Sequence, residues 1–326
     1  VGPPRQVAPP ATGQPAGKVE QEWTVELPPG TFDVAVKAEA AHNYALSQPV
    51  EVTRPRSEGD ALPKLFVLSI GDGPDGKSAA AVSKSLAAAA PGVFGEVVTH
   101  VLQGDEATPA AVDAELEKIR GRATLADTTV IYYAGRETLD TAGHYRLSAA
   151  RGGDPDPAGV WLSDKRLKSE LGAIQGRTLL ALDTVRAERR RERDANSGFC
   201  GSSAHETGSD KLDTAAADFL REMLSTEYGI TVLRASRRAS SAMAQGQSQS
   251  GTSAFAQAFG EAIGGKADQD KDGLIHLQEI SRYVNQRVQE LTKGKQMPVI
   301  ERPRGMRSFP LGKPPASVGE PAPSGK

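Results

Sequence analysis

From Lys64 onward the chain alternates short apolar runs with longer segments of helical composition. The runs LFVLSI (65–70), EVVTHVL (96–102), TTVIYYAG (128–135), RTLLALD (177–183) and ITVLRAS (230–236) have strand length. They are the kind of run buried on both faces of a parallel sheet. Between them KSAAAVSKSLAAAA (77–90) and TPAAVDAELEKIR (108–120) predict helices, the second with Thr108 as N-cap and Pro109 at the first helical position. The alternation predicts an α/β fold, a mostly parallel sheet with helices on both faces.

Upstream the pattern is different. Trp23, Val25 and Leu27 alternate with polar residues, Pro28-Pro29-Gly30 turns the chain, Phe32, Val34 and Val36 alternate again, and a third run surrounds Val50 and Val52. Three strands are too few for an independent sandwich, so residues 18–54 are read as the end of an immunoglobulin-like β segment. Residues 1–17 and 312–326, rich in Pro, Gly and Ala, predict a disordered linker and a disordered tail. The first residue, Val1, in its Pro-rich context, suggests a chain that begins inside a longer protein.

Composition narrows the classes. Apolar residues make up 38% and charged residues 25%, with a formal net charge of -2, so no overall basic character calls for a nucleic-acid partner. No apolar run is long enough to span a membrane. The single cysteine, Cys200, excludes an intramolecular disulfide and a thiolate metal cluster.

Several stretches, in order, resemble bacterial members of the caspase-like cysteine peptidase family, the metacaspase and orthocaspase group. They are LPKLFVLSIG (62–71), HVLQGDEATPAAVDAELEKI (100–119), DTTVIYYAG (127–135), HYRLSA (144–149), LLALDT (179–184), GITVLRAS (229–236) and a last stretch over 267–299. The resemblance covers residues 62–311 and implies a caspase-like sheet. In active relatives the third strand ends in Gly, the catalytic His and Gly, and the fourth in Asp, a small residue and the nucleophilic Cys. Here those positions read Gly135-Arg136-Glu137 and Asp183-Thr184-Val185. Arg136 thus stands in the place of the base and Val185 in that of the nucleophile, while Asp183, which in the family helps to bind a basic substrate residue, is retained. The chemistry needs a thiolate and a neighbouring imidazole that moves a proton. Valine cannot attack, and a guanidinium does not give up its proton.

Other residues offer alternatives. Cys200 and His205 share the polar loop after the fourth strand, and a peptidase with a relocated nucleophile would use them. His144 is expected to open a strand. Gly71-Asp72-Gly73-Pro74-Asp75-Gly76-Lys77-Ser78 fits the phosphate-loop pattern between a strand and a helix. There Gly71 and Gly76 would shape the loop, Lys77 would reach phosphates and Ser78 a magnesium ion, against the repulsion of Asp72 and Asp75. The run Arg186 to Arg193 has five Arg and two Glu. It reads as a solvated face or an attractor of an acidic partner.

The strongest motif lies at 268–279, DQDKDGLIHLQE, which satisfies the EF-hand pattern. Calcium would take oxygens from Asp268, Asp270, Asp272, the Leu274 carbonyl and a bidentate Glu279, with Gly273 making the turn. Ile275 is expected to enter the core. The preceding helix is expected to end near Gly264-Gly265, and such an irregular entry lowers the expected affinity to about 10⁻⁵–10⁻³ M. The sequence therefore points to a non-catalytic caspase-like module with a protein partner and a calcium site. The alternative is an enzyme, either a nucleotide hydrolase or a peptidase with a displaced nucleophile.

Overall fold

The computed structural model describes residues 22, 24–40, 43–71, 76–140, 142–148, 161–186, 208–225, 230–236, 251–303 and 306–315. The expected linker 1–17, Asp72 and Asp75 of the phosphate-loop match, Cys200, His205, the basic run beyond Arg186 and the tail beyond Pro315 lie outside them. The chain divides into two compact units, Val1–Asp60 and Ala61–Lys326.

In the first unit β1 (Gly30–Val34) runs antiparallel to β4 (Val50–Arg54), with Phe32 opposite Val52 and Val34 opposite Val50. A hairpin lies between them in sequence, β2 (Lys37–Ala40) against β3 (Asn43–Leu46). The strand expected at Trp23–Leu27 does not form among the described residues. Pro28 and Pro29 follow it directly, and two successive residues without an N–H cannot continue a ladder.

The second unit carries the main sheet. Five parallel strands, β5 (Lys64–Gly71), β6 (Glu96–Gln103), β7 (Thr128–Leu139), β10 (Arg177–Arg186) and β11 (Ile230–Arg234), stand in the order β6-β5-β7-β10-β11. An antiparallel strand, β13 (Val299–Glu301), closes the β11 edge. The end of β7 also pairs with β8 (Tyr145–Ser148), which pairs in turn with β9 (Trp161–Ser163).

Helices cover both faces. On one lie α1 (Gly76–Ala89), α5 (Ala254–Glu261) and α6 (Leu277–Thr292), packed over Leu65, Val67, Tyr132, Leu179 and Leu233. On the other lie α2 (Pro109–Arg122), α3 (Asp164–Gly172) and α4 (Gly208–Leu224), over Phe66, Leu68, Ile131, Leu180 and Val232. Alternate residues of each strand feed the two cores, which is why the strands read as unbroken apolar runs. Thr108 caps α2 as expected, its hydroxyl accepting from the Ala111 N–H at 3.2 Å. Among the described residues no helix is long and apolar enough to cross a membrane.

Two boundaries differ from the sequence reading in ways that matter for the site. The strand expected to end at Gly135 continues to Leu139, and that expected to end at Asp183 continues to Arg186. The extension of β7 is held on one side by β10, as far as Glu137 opposite Arg186, and on the other by β8, from Arg136 opposite Ser148 to Leu139 opposite Tyr145. At the far end residues 312–315, expected in the tail, are among the described residues. Pro310–Gly312 forms β14, paired with β12 (Ile275–His276), and the Lys313 N–H reaches the Ala89 carbonyl at 2.7 Å.

Candidate functional site

In this sheet the strand order reverses between β5 and β7, and the carboxyl ends of the strands beside such a reversal are where open α/β sheets place their ligands. Arg136 on β7 and Val185 on β10 come together there as register partners in the parallel ladder. The neighbouring pairs are Asp183 with Ala134 and Thr184 with Gly135. Arg136 is exposed and Val185 is 5% exposed. The two positions that the resemblance marks for base and nucleophile are therefore adjacent, and their side chains offer neither an acid–base group nor a nucleophile.

The residues around them form two polar clusters, one on each face of the sheet. Side chains alternate along a strand, so Glu137, Thr184 and Arg234 share the face covered by α4. The Glu137 carboxylate is fully buried. It accepts from the Tyr145 hydroxyl at 2.7 Å, the Thr184 hydroxyl at 2.9 Å and the Arg234 guanidinium at 3.3 Å. Arg234 itself is 5% exposed, so this is a buried ion pair joining β7 and β11 across β10. Burial, and next the Glu137 charge, push the Tyr145 hydroxyl well above its ordinary pKa, which keeps it a donor. For Arg234 burial works against the charge, but the charge and hydrogen bond of Glu137, with Tyr145 and Asp213 nearby, together outweigh it and raise the pKa.

On the opposite face Asp183 is 1% exposed. Its Oδ2 accepts from the Tyr132 hydroxyl at 2.7 Å and from the Ser253 hydroxyl in a short contact. Ser253 is also the N-cap of α5, its oxygen accepting from the Ala256 N–H at 2.9 Å. The Ser253 N–H donates to the Ser78 Oγ at 3.0 Å. Ser78, which a phosphate loop would turn to a magnesium ion, is thus 1% exposed and tied into the interior. Gly71 ends β5 and Gly76 opens α1 against Gln103, where an added Cβ would come within 2.8 Å of Oε1. Lys77 is exposed.

The acidic loop lies between α5 and α6. α5 ends in a wider turn over Ala262–Lys266, with Gly265 at φ 109°, as the paired glycines led one to expect. Gly273 at φ 79° makes the sharp turn and Ile275 is fully buried. Asp268, Asp270 and Glu279 each bring a carboxylate oxygen within 4.8 Å of the others. Asp272 stands apart from that group: its Oδ1 accepts from the Leu274 N–H at 2.7 Å and its Oδ2 lies 3.5 Å from His276 Nε2. Glu279 accepts from the Gln269 N–H at 3.0 Å and the His276 N–H at 2.9 Å. Asp268 Oδ1 is buried and accepts no hydrogen bond among the described residues. Calcium binds oxygens at about 2.3–2.6 Å, so a 4.8 Å spread is within the reach of a shared ion, and the orphaned Asp268 oxygen is one that such an ion would satisfy.

Glu137, Arg234, Tyr145 and Ser253 were not singled out in the sequence. The available signal was Arg234, a charge inside the apolar run ITVLR at the same parity as Val232, which demands a buried counter-charge. Glu137, next to Arg136, supplies it.

The same region is recognised by comparison. The caspase domain family, Peptidase_C14, matches residues 100–309, which include Arg136, Asp183, Val185, Arg234 and the acidic loop. Among curated proteins none matches this chain. Among solved structures, protein GSU0716 from Geobacter sulfurreducens is similar at 14% identity and a TM-score of 0.41, over 74% of this chain and 94% of that one. With the family match spanning most of the second unit, the chain belongs to the caspase domain family.

Proposed function

We propose that this chain is a catalytically inactive caspase-fold protein of the metacaspase and orthocaspase type, a pseudopeptidase that acts as a regulatory or scaffolding module through a protein partner. The observation that carries this reading is the register pair Arg136–Val185 at the carboxyl end of β7 and β10. Peptide-bond cleavage by this family's chemistry requires a thiolate to attack the carbonyl and an imidazole to protonate the leaving amine. Neither group is available from that pair. The Glu137–Arg234 ion pair beside it supports the same reading, because it uses the strand ends for a buried structural contact.

Calcium belongs to the proposal as a structural ion. Asp268, Asp270 and Glu279 would hold it, with the Leu274 carbonyl and, after a turn of its side chain, Asp272 completing the loop. Bound there, it would neutralise clustered carboxylates and stabilise the α5–α6 region, in proportion to free calcium. It would take no part in peptide cleavage.

Labelling tests the inactive reading directly. A peptidyl electrophile with Arg or Lys next to its warhead should leave the intact mass of the protein unchanged, with and without calcium. Rapid stoichiometric labelling would overturn the proposal, and mapping the adduct would name the true nucleophile.

A further inference from the structure

β12 is part of the acidic loop itself, since Ile275 and His276 follow Leu274, whose carbonyl is the candidate ligand. Its strand partner comes from the far end of the chain. Ile275 is in register with Gly312 and His276 with Pro310. The contact continues into the first turn of α6, where the Leu277 N–H donates to the Phe309 carbonyl at 3.0 Å and the Gln278 N–H to the Ser308 hydroxyl at 3.0 Å. The first N–H groups of a helix have no partner within it, so here residues 308–309 supply what the helix lacks. Glu279, a candidate ligand, sits in that same turn.

The segment 308–313 is anchored on its other side as well. Phe309 is 2% exposed beneath the Arg177 guanidinium, which lies 5.8 Å from its ring centre, and Leu311 is fully buried. Gly312 lies so close to the end of α1 that an added Cβ would come within 2.6 Å of the Ala89 Cβ and 2.9 Å of its carbonyl oxygen. The Lys313 N–H then closes on that carbonyl. The segment is a strap that fixes the second half of the acidic loop against the body of the domain.

We infer that calcium binding at the acidic loop and docking of the C-terminal strap 308–313 are coupled, so that calcium controls how firmly this end of the chain is held. The inference rests on the calcium reading above and adds its regulation. The physical link is short. The strap orders the peptide that carries the Leu274 carbonyl and the turn that carries Glu279. A calcium ion orders the same two groups from the other side, and a pair of ligands that share an ordering cost bind cooperatively. Linkage makes the effect reciprocal: whatever factor the strap contributes to calcium affinity, calcium contributes to strap docking.

The test uses the full chain and calorimetric titration of calcium into wild type, Gly312→Val and Ser308→Ala. None of the substituted residues is a candidate ligand. Gly312→Val cannot dock the strap without displacing Ala89, and it should weaken calcium binding about five-fold or more. Ser308→Ala removes one hydroxyl cap and should weaken it less, in the same direction. Hydrogen exchange should show the 306–315 amides slowed by calcium relative to chelator. If Gly312→Val does not fold by circular dichroism, Ser308→Ala and the exchange measurement still decide. Calcium binding at wild-type strength in the variants, with exchange in 306–315 unchanged by calcium, overturns the coupling and leaves the calcium site standing. No binding heat in wild type overturns both.

Discussion

Arg234→Met isolates the buried ion pair that occupies the strand ends. Methionine keeps much of the arginine volume and removes its charge, leaving the Glu137 carboxylate fully buried with the Tyr145 and Thr184 hydroxyls as its donors among the described residues. Breaking a buried pair by removing one partner costs about 3–5 kcal/mol. The lower end applies here, because the two hydroxyls remain and the Arg234 contacts are long, at 3.3 and 3.5 Å. The expected loss is therefore about 3 kcal/mol. Glu137→Leu alone should cost a similar amount, since it strands the guanidinium and two hydroxyls. The double variant should cost less than the sum, because neither charge is then left buried alone, while the Tyr145 and Thr184 hydroxyls still lack their acceptor. Urea unfolding of all four proteins gives the cycle, with unchanged m-values as the check that two-state comparison is valid. A cost below about 1 kcal/mol for both single variants, or a double variant equal to their sum, would refute the ion pair as a structural element.

Two further outcomes are expected. Millimolar calcium should raise the melting temperature of the wild type and not that of Asp270→Ala or Glu279→Gln, and thermal melts with calcium or chelator check it. Burial opposes ionisation of Glu261, but hydrogen bonds from Gln257, Tyr283, Lys266 and Arg287 win and hold its pKa at about 2, below the ordinary 4.5. Its folded value is depressed, so its stabilisation is present above pH 4.5 and disappears as the pH falls from there towards 2. Glu261→Gln should accordingly cost about 2 kcal/mol near neutrality, allowing for solvent screening, with the gap closing across that acid window in chemical denaturation.

The sheet was legible because its strands are apolar on both parities: β5, β6, β7 and β10 contain the runs read from sequence, and β11 covers residues 230–234 of the run 230–236. The ends of β7 and β10 were not. Arg136, Glu137 and Arg186 are charged, and local pattern reads a charged stretch as a strand end. The ladder continues because Glu137 finds Arg234 nearly a hundred residues away and β8 adds a second partner. The acidic loop was legible in the turn at Gly273 and the burial of Ile275, since both follow from local pattern. Its strand partner, Pro310–Gly312, was not, because no local pattern pairs it with Ile275–His276 and the domain was expected to end at residue 311, before Gly312 packs against Ala89. Upstream, β1 holds Phe32 and Val34 of the second expected alternation and β4 holds Val50 and Val52 of the third, while Val36 lies outside β1 and the first strand of the hairpin Lys37–Leu46 alternates only alanines with charged residues.

The central claim is that this caspase-fold chain does not cut peptide bonds, and turnover measures it most directly. Purified full-length protein, incubated with a peptide library containing Arg and Lys and followed by mass spectrometry, should give no cleavage products above a buffer control, in calcium or in chelator. Saturable cleavage that is abolished by Cys200→Ala would contradict it, and would place the nucleophile outside the Arg136–Val185 pair.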